Sequence, residues 1–116
     1  MNFTSEIVED VLILTIFIPR PNASSSESLK NKLLEEVEKN HKKIIIDLHN
    51  VEFTDSSFLG ALLAGHKSTH AQKGEIILVG LKPQVKNVFN VTHMDKIFMV
   101  KGTVEQALTI FNRDKK

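Results

Sequence analysis

Cysteine is absent from all 116 residues. That excludes thiolate catalysis, thiol redox chemistry and thiolate metal sites, although it says little by itself about compartment. A charge of one sign is missing too: 15 Lys and Arg stand against 14 Asp and Glu, a formal net charge of +1 at pH 7. Such a balance gives no electrostatic bias toward nucleic acid, an anionic membrane or an acidic substrate, so a partner must be found by local shape. The longest apolar run near the N-terminus, Val11 to Ile18, is too short to span a bilayer, and the "SEIVED" before it is acidic where a signal peptide is basic. The expectation is a cytoplasmic protein without membrane insertion. Linkers, repeats and low-complexity segments are also lacking, so residues 1–116 read as a single domain. A chain of this length can remove roughly two thirds of its unfolded surface from water without disulfides or metals. Finally, there is no Gly-x-x-x-x-Gly-Lys loop, no Gly-x-Gly-x-x-Gly and no Gly-x-Ser-x-Gly elbow. Neither a dedicated nucleotide-binding enzyme nor a serine hydrolase is expected, and no cofactor is implied.

The segments that are present alternate. "FTSEIVED" and "VLILTIFI" have the β-branched and aromatic content of two strands, and a tight connection at Glu9 and Asp10 makes them an antiparallel pair. "PRPNASSS" breaks that pattern. Ser24 with Glu27 has capping-box spacing, and Leu29, Leu33, Leu34 and Val37 recur at helical intervals, which predicts a helix from about Ser25 to Asn40. "KKIIIDL" reads as a strand buried on both faces. Leu59, Leu62, Leu63 and His66 define the inward stripe of a second helix, beginning near Ser57 and ending near Gly74. "EIILVG" is the next buried strand, Pro83 opens a helix carrying Val85, Val88 and Phe89, "KIFMV" is a short strand, and Thr103 with Gln106 opens a last helix. The order ββαβαβαβα predicts an α/β fold with a mixed, mostly parallel sheet of four to five strands and helices packed on it.

In such sheets partners and ligands meet the loops at the carboxyl ends of the strands. Asp55, Ser56 and Ser57 lie on one of these loops. Asp55 or Ser56 suits the cap of the following helix, because a side-chain oxygen there accepts from an unpaired amide. One cap needs only one such residue, which leaves hydroxyl groups to spare where the helix end favours negative charge. A phosphoryl group added here would be tolerated by the helix and would place about −1.5 to −2 charges beside Asp55.

The segment "IIIDLHNVEFTDSSFLGALLA" resembles the region around the phosphorylatable serine in STAS domains of the anti-sigma factor antagonist family, and "GEIILVGLKPQVKNVFNVTHMDKIFMV" is similar to that family's closing strand, helix and strand. The likeness is close over residues 44 to 100 and topological before them. The resemblance implies a single STAS-like domain that is not an enzyme. It implies binding to an anti-sigma factor, itself a serine kinase of ATPase-type fold, so that a sigma factor is released. Phosphorylation at the position of Ser56 breaks that complex, and a PP2C-type phosphatase restores it. Asp55 then positions the serine and contributes to the partner surface, and Ser57 with Leu59 and Gly60 shapes the helix start. Two departures are visible. Phe58 stands where the family most often has Gly, and "IPRP", Ile18 to Pro21, replaces a Gly-x-Leu-Asp. Phe58 lies about 100° round the helix from Leu59, on a flank shared with Ala61 and Gly65. That flank suggests a docking patch in which Phe58 contacts a partner while Ala61 and Gly65 admit it closely; packing of Phe58 on the Pro19 to Pro21 loop is the other reading. The alternative function is an unphosphorylated STAS adaptor in a lipid-transport or stress-signalling complex, with Ser56 only capping a helix.

Other constellations carry less. His66 and His70 have the i, i+4 spacing of two metal ligands, but no third ligand and no His-Glu-x-x-His motif accompany them, so no metal site is assigned. "KNHKK" at 39 to 43 and "RDKK" at 113 to 116 lack interleaved aromatics and read as solvated surface, without a nucleic-acid interface.

Overall fold

The computed structural model describes residues 2–113, which excludes the last three residues of the basic "RDKK" end. The first two strands, β1 (Phe3–Val8) and β2 (Val11–Ile16), form the expected antiparallel hairpin, with Val8 opposite Val11. Glu9 closes the two-residue turn with a left-handed φ of 59°. Every later strand joins in parallel: β2 to β3 (Lys43–Asp47), β3 to β4 (Glu75–Val79), and β4 to β5 (Met99–Lys101). The spatial order β1-β2-β3-β4-β5 follows the chain, so each parallel step needs a crossover helix. These are α1 (Ala23–Glu38), α2 (Ser56–Ala71) and α3 (Pro83–Val91), and α4 (Val104–Arg113) closes the described chain.

Alternation along the central strands sorts their side chains between two apolar layers. Leu12, Leu14, Ile44, Ile46, Ile76 and Leu78 face the layer filled by α1, α2 and α3, with Leu29, Leu33, Leu62 and Phe89 among their neighbours. Val11, Ile13, Ile45, Ile77 and Val79 face Ala107 and Phe111 of α4. Two-sided burial explains why "IIID" and "IILV" carry no polar alternation.

Two local expectations are displaced. The box on α1 is made by Asn22 and Ser25, not Ser24 and Glu27: Asn22 Oδ1 accepts from Ser25 N at 2.9 Å, and Asn22 N donates to Ser25 Oγ at 2.8 Å. Asn caps as well as Ser, and the earlier residue adds two residues, about half a turn, to the helix. The "KIFMV" strand is shortened at its front, because Met94–Lys96 winds into a 3₁₀ turn anchored by buried Met94 and Phe98. Among the described residues no helix is long and apolar enough to cross a membrane.

Candidate functional site

The loop between β3 and α2 is tied at both of its ends. Leu48 N donates to Val79 O at 2.9 Å and holds the loop to β4. Glu52 N and Phe53 N both donate to Pro19 O, at 2.8 and 3.2 Å, and so fasten it to the segment that follows β2. The chain therefore enters α2 from a fixed direction, with Leu48, Val51 and Thr54 buried beneath it.

Asp55 is the N-cap. Its Oδ1 accepts from Phe58 N at 2.9 Å and from Ser57 Oγ at 2.8 Å. These bonds, the Phe58 amide first and the Ser57 hydroxyl second, hold the Asp55 carboxyl below the ordinary aspartate range, because they stabilise its charged form. Ser57 Oγ also lies 3.2 Å from Ser26 Oγ on α1. A hydroxyl has one proton to give, and since the carboxylate can only accept, Ser57 donates to Asp55 while Ser26 donates to Ser57. A relay from α1 through Ser57 to the cap results. Ser56 is left outside it: the residue is exposed, and among the described residues its hydroxyl has no hydrogen-bond partner. Of the three residues at the corner, two are occupied in building the helix start and one faces solvent.

The expected docking flank requires correction. Phe58 is 1% exposed and Ala61 4%, Gly65 is buried, and Phe58 and Ala61 belong to the core between the sheet, α1 and α2. These residues do admit a helix closely, but the helix is α1: a Cβ added at Gly65 would stand 2.6 Å from Leu33 Cδ1. The inward stripe expected on Leu59, Leu62, Leu63 and His66 is likewise turned by roughly a quarter of the circumference at about 100° per residue. The buried stripe is Phe58, Ala61, Leu62, Gly65 and Thr69, while Leu59, Leu63 and His66 are half-buried on its flank. The solvent side of α2 carries Ser56, Gly60 and Lys67 in one row.

Sequence reasoning missed the apolar groups that do reach solvent here. Phe53, on the loop, is 49% exposed, and Phe17, just after β2, is 47% exposed. The backbone at Phe53 is held by the tether to Pro19, a long-range contact that no local pattern signals. Beneath the surface, Thr54 Oγ1 and Asn50 Nδ2, both in the same loop, are buried without a partner among the described residues. At the end of β3, His49 Nδ1 lies 2.7 Å from Asp47 Oδ1, which also accepts from His49 N at 3.0 Å. Among the described residues no group of three or more His, Asp or Glu is arranged to hold a metal ion.

Comparison with known proteins agrees with this architecture. The STAS domain family model matches residues 2–107. A protein of Bordetella bronchiseptica named as a candidate anti-sigma factor antagonist, BtrV, is 30% identical over 90 residues, covering 78% of each chain. A crystal structure of a candidate anti-sigma factor antagonist from Thermotoga maritima superposes with a TM-score of 0.84 at 28% identity, covering 92% of each chain. SpoIIAA, a Bacillus cell fate determinant solved in phosphorylated form, shares the fold with a TM-score of 0.73 at 22% identity, over 94% of this chain and 98% of its own. With the matched model spanning nearly all of the sheet and its helices, the chain belongs to the STAS domain family and, within it, to the anti-sigma factor antagonists.

Proposed function

We propose that this antagonist is switched by reversible phosphorylation of Ser56. The observation that carries the reading is the division of labour at the corner: Asp55 caps α2, Ser57 holds Asp55, and the exposed Ser56 hydroxyl has no structural duty. In its unmodified state the corner binds an anti-sigma factor, a serine kinase of ATPase-type fold, and a sigma factor is set free. Phosphate on Ser56 adds about −1.5 to −2 charges beside Asp55, in the first turn of α2, where the helix itself tolerates the charge. The partner does not, since its surface loses a neutral contact and meets an uncompensated charge. A PP2C-type phosphatase resets the switch. That SpoIIAA, of the same fold, takes phosphate supports the chemistry.

The partner surface is read as Asp55, Ser56, Ser57, Leu59 and Gly60, extended by exposed Phe53 and Phe17. Aromatic anchors beside a polar centre suit a protein partner. Phe58, Ala61 and Gly65 act on this surface only by holding α2 in place. Burial of Phe58 also removes one ground for the adaptor reading, since a side chain inside the core leaves the surface around Ser56 unaltered.

Ser56→Asp and Ser56→Ala test the proposal, with Ser57→Ala as control. Placing a charge in the interface is expected to weaken binding to the cognate kinase by about a hundredfold or more. Ser56→Ala binds and resists phosphorylation, and phosphopeptide mapping of wild type finds Ser56 modified and Ser57 bare. A folded Ser56→Asp protein that binds as tightly as wild type would sink the switch.

A further inference from the structure

The other end of α2 holds a second candidate site. At about 1.5 Å per residue, His70 lies roughly 21 Å along the helix from Ser56. There a cleft of about 720 Å³ opens between the end of α2, the start of β4 and the 3₁₀ turn, lined by His66, His70, Lys73, Glu75 and Lys96. The two imidazoles stack at 5.8 Å, and the edge of Phe98 fixes His66 from below at 5.1 Å. Among the described residues none of these five charged or titratable side chains has an ion pair or side-chain hydrogen bond. Two lysines thus face a single carboxylate, Glu75, across open space beside the two imidazoles, which leaves an excess of positive charge in the cleft.

Two kinds of ligand could answer a histidine pair: a metal ion or an anion. Lysines decide between them, since two full positive charges repel a cation and attract an anion. The negative end of the α2 dipole opposes an anion by only about half a charge. A cleft of this volume is of the size that takes a small organic ligand, well beyond a bare phosphate ion. The geometry points to a binding site for a small organic phosphate, held by Lys73, Lys96, His66 and His70, remote from the Ser56 corner and gated by pH. The gate arises because burial, and then the neighbouring His70, keep His66 below the ordinary histidine range, with Glu75 pulling weakly the other way. A bound dianion reverses that balance and draws a proton onto His66, so binding strengthens as pH falls.

Titrating the full chain with inorganic phosphate, glycerol 3-phosphate and sulfate, followed by NMR of the histidine rings and backbone amides at pH 6.0 and 7.5, tests this. Sulfate keeps its charge across that range and isolates the protein's own titration. Saturable shifts at His66, His70 and Lys96, at least threefold tighter at pH 6.0 for sulfate and tighter for glycerol 3-phosphate than for inorganic phosphate, are expected. Lys96→Gln and His70→Gln, both at exposed positions, should each weaken binding fivefold or more while the amides near Ser56 stay still. Shifts that do not saturate, or that sodium chloride of equal ionic strength reproduces, overturn the site. So does a preference for zinc over every anion. Neither result bears on the Ser56 switch, which is read at the opposite end of the helix.

Discussion

Gly60 and Gly65 lie five residues apart on one helix and have opposite environments. A methyl group at Gly60 would meet nothing within 4 Å, whereas at Gly65 it would strike Leu33 of α1 at 2.6 Å. One side of α2 is sealed by a neighbouring helix, and the other exposes Ser56, Gly60 and Lys67, with half-buried Leu63 between the last two. The difference teaches that small and apolar residues on α2 do two jobs, and that only position on the helix tells them apart. The sealed side fixes where the corner stands; the bare side is what a partner can reach.

Substitutions on the sealed side should therefore cost stability, and the largest effect is expected at Phe58. Phe58→Ala leaves a cavity in the core and should lose about 3 to 5 kcal/mol, read from urea unfolding. Survival of full stability would mean that Phe58 lies outside the core and would return it to the partner surface. Gly65→Ala follows, at about 1 to 3 kcal/mol, because the buried Leu33 side chain must shift to accept the methyl group. Pairing it with Leu33→Ala should recover part of that loss if the clash with Leu33 is the cause.

The corner itself comes next in size. Asp55→Ala removes an N-cap and should cost about 1 kcal/mol. Because bonding from Phe58 N and Ser57 holds the Asp55 carboxyl below its ordinary range, its contribution is full above the unfolded-state value and is lost as pH falls through the lower folded value. Asp55→Asn keeps an amide cap that does not titrate, so its stability should approach that of wild type as the solution is acidified. Glu36 titrates in the same direction: its burial raises the carboxyl, but Lys32, Lys39 and His41 outweigh that and lower it. The informative quantity is thus the difference between the two proteins across pH 3 to 7, not either curve alone. A constant difference over that range would remove Asp55 from the acid response.

Much of this arrangement was legible in the sequence. The order of elements follows from apolar runs too short for helices alternating with segments of helical period, and the hairpin from a two-residue gap between Val8 and Val11. The Asp55 corner was visible as three capping residues where one suffices. Which face of α2 turns inward was not visible. From Phe58 to Ala64 the helix has an apolar or small residue at every position, so periodicity alone leaves its rotation open by about 100°. The choice is made by α1, whose close approach demands Ala61 and Gly65 beneath it. Phe17 and Phe53 were hidden for a related reason. Phe17 lies near the end of an apolar run while Phe53 stands between Glu52 and Thr54, and the Pro19 carbonyl fixes the backbone at Phe53 from more than thirty residues away.

Gly60 offers the smallest effect and the sharpest separation of the two faces. Glycine inside a helix loses more backbone freedom on folding than alanine does, and at an open position alanine should gain about 0.5 to 1 kcal/mol. Since a Cβ at Gly60 would meet no neighbour among the described residues, nothing internal offsets that gain. A glycine retained on the solvent side, one turn after Ser56, then makes sense if the partner's backbone approaches there. Gly60→Ala should accordingly raise the urea midpoint while weakening the complex with the anti-sigma factor, the reverse of Gly65→Ala, which should lower the midpoint and disturb binding only through the displaced corner. If Gly60→Ala stabilises the protein and leaves the partner's affinity unchanged, the contact surface ends before the second turn of α2 and rests on Ser56, the capping residues and the two exposed phenylalanines.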